Sequence, residues 1–204
     1  MSAVVENHDH HDDHHHGPRK GIWRWMTTTN HKDIGTLYLW FSFLAFLVGC
    51  AFAMGIRAEL FEPGLQLMDP IRYNQLVTMH GLIMIFGGVM PAFVGLANWL
   101  IPMQIGAPDM ALPRMNNLSF WLLPTAFAIL MSTAFMEGGM PGFGWTFYAP
   151  LSTNYPNVAF FVFAVHIMGV SSIMGSINVI VTIMNMRAPG CLLYTSPSPR
   201  DLYQ

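Results

Sequence analysis

The sequence predicts an all-α fold, a polytopic bundle of membrane-spanning helices, on three observations. Hydrophobic residues make up 53% of the 204 positions. Charged residues make up only 10%, against about 25% in an ordinary soluble domain. Mean hydropathy is +0.41, and the apolar residues collect into four runs, each near the roughly 20 residues a helix needs to cross a bilayer core. The net charge of −2 excludes the basic footprint of a nucleic-acid-binding protein. Of the two cysteines, Cys50 sits in an apolar run and Cys191 near the end, so no disulfide framework is expected.

Residues 1–20, "MSAVVENHDHHDDHHHGPRK", are polar and rich in histidine. They cannot build a core and read as a disordered tail. The run could hold a transition metal loosely or be an expression tag, although its mixed Asp/His order speaks against a tag. It lacks the apolar stretch of a signal peptide. The four helices are expected at about 34–56, 76–101, 118–136 and 158–186. All the Asp, Glu and Arg residues and most of the prolines lie outside these four stretches, and no fixed-period repeat is present. Arg19, Lys20, Arg24 and Lys32 precede the first helix, Arg114 follows the second and Arg187 the fourth, whereas the loop from Glu137 to Asn157 has neither Lys nor Arg. Arg57 and Arg72 are the exceptions. The positive-inside rule then places the N-terminus in the cytoplasm. Trp99, Trp121 and Trp145 lie near helix ends, as interfacial anchors do. The last stretch, "CLLYTSPSPRDLYQ", breaks the pattern after "NMRAPG". It is short, aperiodic and carries Pro197 and Pro199, so 191–204 is expected to be a non-native tail, like translated adapter read-through. On that reading 21–190 is the membrane unit, and the chain is the N-terminal fragment of a longer protein.

The candidate sites begin with His80, alone in the oily run "VTMHGLIMIFGGVM". Ionisable groups at membrane depth are costly and face the bundle interior with a partner. Neutral imidazole is also a haem-iron ligand. Tyr73, Val77, Met84, Gly87 and Pro91 share its face at helical spacing, and Gly81, Gly87 and Gly88 leave room beside it. A histidine hydrogen-bonded to a neighbouring helix, with glycines for close packing, fits equally.

Asp109 is the only carboxylate between the second and third helices, flanked by Pro108 and Pro113. Asn116 and Ser119 follow at i, i+3 spacing, and Asn98 lies 18 residues after His80, five helical turns, so both should point the same way. A carboxylate at a mouth followed by amides and a hydroxyl could order a water chain for protons; helix capping and a solvated Asp would use the same residues. Ser171, Gly175, Asn178, Thr182 and Asn185 form a stripe on the fourth helix, suited to helix packing or to a wetted channel wall. His166 lies off that stripe and reads as a packing histidine. Arg57 ends the first helix. After it, Glu59, Glu62, the Gly64 carbonyl and Gln66 cluster oxygens that suit a hard cation such as Ca²⁺ or simply form an acidic solvated turn.

These pieces together resemble subunit 1 of the haem-copper cytochrome c oxidases, in the proteobacterial style. The strings that carry the resemblance are "TTNHKDIGTLYLWF", "IRAEL", "TMHGLIMIF", "IGAPDMALPRMNNLSFWLLP", "GWTFYAPLS" and "GVSSIMGSINVIVTIMNMRAPG". They cover nearly everything from about 22 to 190, and the run from Ile105 to Trp121 is specific enough to carry the assignment alone.

The resemblance implies four helices of a larger twelve-helix fold in a bacterial inner membrane. It implies that His80 is one axial ligand of a low-spin haem, expected to be haem A, and that Arg57 contacts that haem's formyl group. Asp109 would open a proton-uptake path lined by Asn98, Asn116, Ser119, Ser171, Ser172 and Asn178. Glu59, Gly64 and Gln66 match a calcium loop; Glu62 stands where many relatives have histidine. The second low-spin ligand, the high-spin haem ligand, the copper ligands and the glutamate that ends the path would lie further along. The fragment alone is therefore expected to be inactive. The intact protein would oxidise cytochrome c, delivered through a copper-bearing subunit 2, reduce dioxygen to water and pump protons. A quinol-oxidising relative is the nearest alternative, and a haem-free transporter the more distant one.

Overall fold

A computed structural model describes residues 21–189. The expectations for 1–20 and 191–204 lie outside the described residues. Six α-helices are present, with no strand among the described residues: α1 Ile22–Thr27, α2 His31–Glu59, α3 Pro70–Leu82, α4 Met90–Ile105, α5 Pro113–Ser132 and α6 Val158–Asn185. A π-helical segment, Ile83–Val89, joins α3 to α4 without a break. Four helical units, α2, α3 through α4, α5 with its 3₁₀ end, and α6, are long and apolar enough to cross a membrane.

Three of the four spans begin a few residues outside the apolar run, where caps and prolines allow, and α6 begins at Val158 as expected. Asn30 caps α2 by accepting the Lys32 amide at 2.8 Å, so α2 starts before the expected Ile34. Asp69 caps α3 through the Arg72 amide at 2.7 Å, with Pro70 in the first position, where its missing N–H costs nothing. This moves the start from 76 to 70. Pro113 opens α5 ahead of 118 in the same way. α4 ends at Gly106, whose φ of 70° is the left-handed conformation that stops helices.

The π segment is a departure from regular helical spacing, and Pro91 supplies the cause. Proline has no N–H to give the Gly87 carbonyl, and Met90 N–H reaches back to Ile85, an i→i+5 bond. The segment takes up extra residues per turn, so the five-turn register expected between His80 and Asn98 is lost. The His80 ring hydrogen-bonds to α2 and the Asn98 side-chain oxygen to α5.

α2 runs antiparallel along α3, the π segment and α4. Its buried face, His31, Ile34, Gly35, Tyr38, Ser42, Ala45 and Gly49, follows alternating helical spacing. Gly35 and Gly95 set the closest approach: a Cβ on Gly35 would lie 2.9 Å from the Gly95 carbonyl oxygen and 2.6 Å from Trp99. α5 and α6 form a second antiparallel pair. Asn98, Asn116, Asn178 and Thr182 are fully buried, whereas Trp40, Phe43, Leu47, Phe93, Phe163 and Ile180 are exposed. Polar groups inside and large apolar side chains outside is the arrangement expected of helices bathed in lipid. The loop 136–157 folds back on α3, where Gln75 donates to Gly138 O at 2.9 Å and Gly144 N–H to Thr78 Oγ1 at 2.9 Å.

Candidate functional site

His80 is half-buried near the end of α3. Its Nδ1 lies 2.9 Å from the Gly49 carbonyl oxygen on α2. A carbonyl only accepts, so Nδ1 carries a proton, and Nε2 is unbonded among the described residues. Fixing one ring nitrogen in this way sets tautomer and ring direction, as at metal-ligating histidines. Gly49 is what lets the helices meet: a Cβ there would lie 2.5 Å from Met84 Sδ and 2.9 Å from its Cγ. The hydrogen bond to a neighbouring helix and an unbonded ring nitrogen are thus features of one side chain.

Arg57 is exposed, about 12 Å further along α2 than Gly49, and makes no ion pair among the described residues. Beyond it Glu59 is buried, and its carboxylate accepts the amides of Gln66, Leu67 and Met68 at 2.9, 2.8 and 3.1 Å. Glu59 is therefore first a loop anchor, closing 60–68 onto the end of α2. Glu62, Gly64 and Gln66 are exposed around it. No cluster of three or more His, Cys, Asp or Glu side chains occurs among the described residues.

The polar residues on the other side converge. Asp109 Oδ1 accepts the His31 amide at 3.2 Å and its neighbour Met110's at 2.7 Å, leaving Oδ2 without a hydrogen bond among the described residues. The carboxylate thus sits at the positive N-terminal end of α2. His31, buried, donates from Nδ1 to the Asn98 carbonyl at 2.7 Å. Asn116 Nδ2 donates to Asn98 Oδ1 at 2.5 Å, and Ser119 Oγ to the Asn116 carbonyl at 2.8 Å. Tyr38 OH and Ser119 Oγ are 3.0 Å apart, and Ser171 Oγ donates to the Ser119 carbonyl at 2.6 Å. Beyond Tyr38, Ser171 and Ser172 border a cavity of about 30 Å³ with Phe86, Met90 and Met168, enough for about two waters.

Asn178 belongs beside this chain, not in it. Its Oδ1 accepts the Leu112 amide, and Thr182 Oγ1 accepts that of Ala111, both at 2.9 Å. Together they hold the loop that carries Asp109. Asn178 Nδ2 is buried without a partner, a donor that a water would satisfy. The stripe on α6 is buried as far as Thr182, but Asn185 is exposed. His166 donates from Nδ1 to its own helix, to Val162 O at 2.7 Å.

His31 and Tyr38 join the polar chain without having been singled out among the candidate residues. The signal was their spacing: they lie seven residues apart, two helical turns, on the face of α2 that also holds Gly35 and Ser42. Inside the aromatic run from Tyr38 to Phe46, a tyrosine looks like one more lipid-facing ring.

Comparison with known proteins gives the family. The profile of the family described as Cytochrome C and Quinol oxidase polypeptide I matches residues 33–198. The chain is 42% identical to cytochrome c oxidase subunit 1 of Corynebacterium diphtheriae over 187 residues, which covers 89% of this chain and 33% of that protein. It is 42% identical to the probable cytochrome c oxidase subunit 1-alpha of Streptomyces coelicolor over 184 residues, 88% of this chain and 32% of the relative. With cytochrome c oxidase subunit 1 of Cereibacter sphaeroides the identity is 39%, over 96% of this chain and 39% of the relative. The chain thus spans about a third of the length of the curated relatives it matches. With four membrane-length helices carrying a poised histidine and a buried polar chain, it is a multi-pass membrane protein that belongs to the Cytochrome C and Quinol oxidase polypeptide I family.

Proposed function

We propose that this chain is a segment of the catalytic subunit of a terminal respiratory oxidase, which takes electrons from cytochrome c, reduces dioxygen to water and pumps protons. The observation that carries the reading is His80, with Nδ1 committed to Gly49 O and Nε2 free, in a chain of this family. That donor set fits a haem: an imidazole oriented by its Nδ1 hydrogen bond, an unbonded Nε2 and partial burial. His80 would ligate the iron of a low-spin haem of A type, and Arg57 would meet its formyl group. When bound, that haem supplies one-electron redox chemistry. The high-spin haem and copper belong to parts of the intact protein outside these helices, with copper-bearing subunit 2 and cytochrome c as partners. The Lys and Arg distribution supports a cytoplasmic N-terminus, and the bacterial relatives support a bacterial inner membrane.

Asp109 takes up protons in this reading, at the Oδ2 that its amide partners leave free. Asn98 and Asn116 cannot relay a proton through their amides, but they orient waters between Asp109 and the Ser119–Tyr38–Ser171 group. Ser172 lines the small cavity where that group ends. Glu59, Glu62, Gly64 and Gln66 would hold Ca²⁺ as an added staple on a loop that Glu59 already closes. The family membership sets aside a haem-free transporter. Its description spans both cytochrome c and quinol donors, so both are to be assayed, with cytochrome c expected to sustain turnover.

The test is Asp109→Asn in the intact oxidase. Haem content should stay unchanged, while proton uptake and turnover fall by an order of magnitude or more, since removing a positioned acid–base group costs about 10²–10⁴-fold. Wild-type turnover and pumping would remove Asp109 from the path.

A further inference from the structure

We propose that α1 is an interfacial anchor whose occupant is the lipid surface itself, at the bilayer edge where α2 begins. On a helical wheel of about 100° per residue, Ile22, Met26 and Trp23 fall within about 100° of arc, with Trp25 beside them. Arg24 lies on the opposite side. The structure uses that division. Arg24 pairs with Asp33, in the first turn of α2, at 3.2 Å, and Thr28 donates to the same carboxylate at 3.0 Å. α1 is thus held to α2 by its polar side, and no residue of α1 is buried. Ile22 is 77% exposed and Trp23 65%.

The place of α1 decides what covers that face. Only three residues separate it from His31, the first residue of a membrane-length helix. Its apolar arc is therefore at the bilayer boundary, beyond which α2 leaves Trp40, Phe43 and Leu44 exposed. Trp with Ile and Met on one side and a basic residue on the other is the chemistry of a segment lying in the interface plane. Indole rings settle at headgroup level. Arg19 and Lys20 precede α1 directly in sequence, which suits an anionic leaflet. Through Asp33 the anchor also steadies the first turn of α2, whose His31 amide holds Asp109.

Nitroxide labels at Ile22→Cys and, separately, Trp23→Cys test this in the intact oxidase, reconstituted in phosphatidylcholine–phosphatidylglycerol vesicles. The spectrum of the unsubstituted enzyme is subtracted. Power saturation should show collision with oxygen exceeding that with a water-soluble nickel chelate several-fold at both positions. At Thr27→Cys, at the edge of the apolar arc, that ratio should be lower. Free access of the chelate at 22 and 23 would mean a solvated helix. Low access of both quenchers would mean cover by protein. Either result overturns the proposal.

Discussion

Replacing Gly49 by valine separates the haem-ligand reading from a packing role for His80. A Cβ at Gly49 would lie 2.5 Å from Met84 Sδ and 2.9 Å from its Cγ, whereas such atoms rest about 3.5–4.0 Å apart. With alanine, the flexible end of Met84 can turn aside. Valine is held to one rotamer on a helix, and its methyls leave Met84 no such room, so α2 must move off by about 1 Å. The His80 Nδ1 to Gly49 O distance, now 2.9 Å, would then exceed the reach of a hydrogen bond. Losing a partner of this kind typically lowers metal affinity about 10–100-fold, or roughly 1.4–2.7 kcal/mol. The assay is haem content and the reduced-minus-oxidised spectrum of the intact protein. Gly49→Ala should stay near wild type, while Gly49→Val should lose low-spin haem or shift its band. A Gly49→Val protein with full haem and an unmoved spectrum would refute the reasoning, because the ring would need no partner on α2.

Other outcomes follow from the same geometry. Asn98→Ala leaves the buried Asn116 Nδ2 without its acceptor. It should cost about 1–2 kcal/mol in a detergent-unfolding titration, and the double change with Asn116→Ala should cost less than the sum of the two; strict additivity would contradict the pairing. Glu59→Gln replaces one acceptor oxygen by a donor facing backbone N–H groups. Amide exchange at Leu67 and Met68 should accelerate by about tenfold or more, the equivalent of about 1.5 kcal/mol for a charge-assisted bond. A calcium chelator should change that exchange far less than the substitution does, and a chelator effect as large as the substitution's would make the cation the principal staple. Asp109→Asn, above, should slow proton uptake at constant haem content.

The membrane fold was legible because four apolar runs of sufficient length leave few alternatives. The ends were less so, since Asn30, Asp69, Pro70 and Pro113 extend the helices into polar sequence through caps that hydropathy ignores. The π segment was not legible. Its cause, Pro91 after Gly87 and Gly88, is visible, but a proline can equally kink or end a helix. Asp109 stood out as the lone carboxylate between two prolines, Asn116 and Ser119 as polar residues at i, i+3 spacing, and Asn98 through a five-turn spacing from His80 that the π segment undoes; the structure joins the four by way of His31. His31 escaped because it sits at a helix start, where a polar residue is ordinary. The anchoring role of Glu59 was not legible, because sequence shows its oxygens but not the three amides that the loop brings back to them.

The central claim rests on Nε2 of His80, and one comparison addresses it. Reduced-minus-oxidised spectra of the intact oxidase, wild type and His80→Ala, should differ by loss of the low-spin haem band in the variant. Assembly of the other subunits, checked on the same preparation, should persist. A normal low-spin band in assembled His80→Ala enzyme would contradict the account.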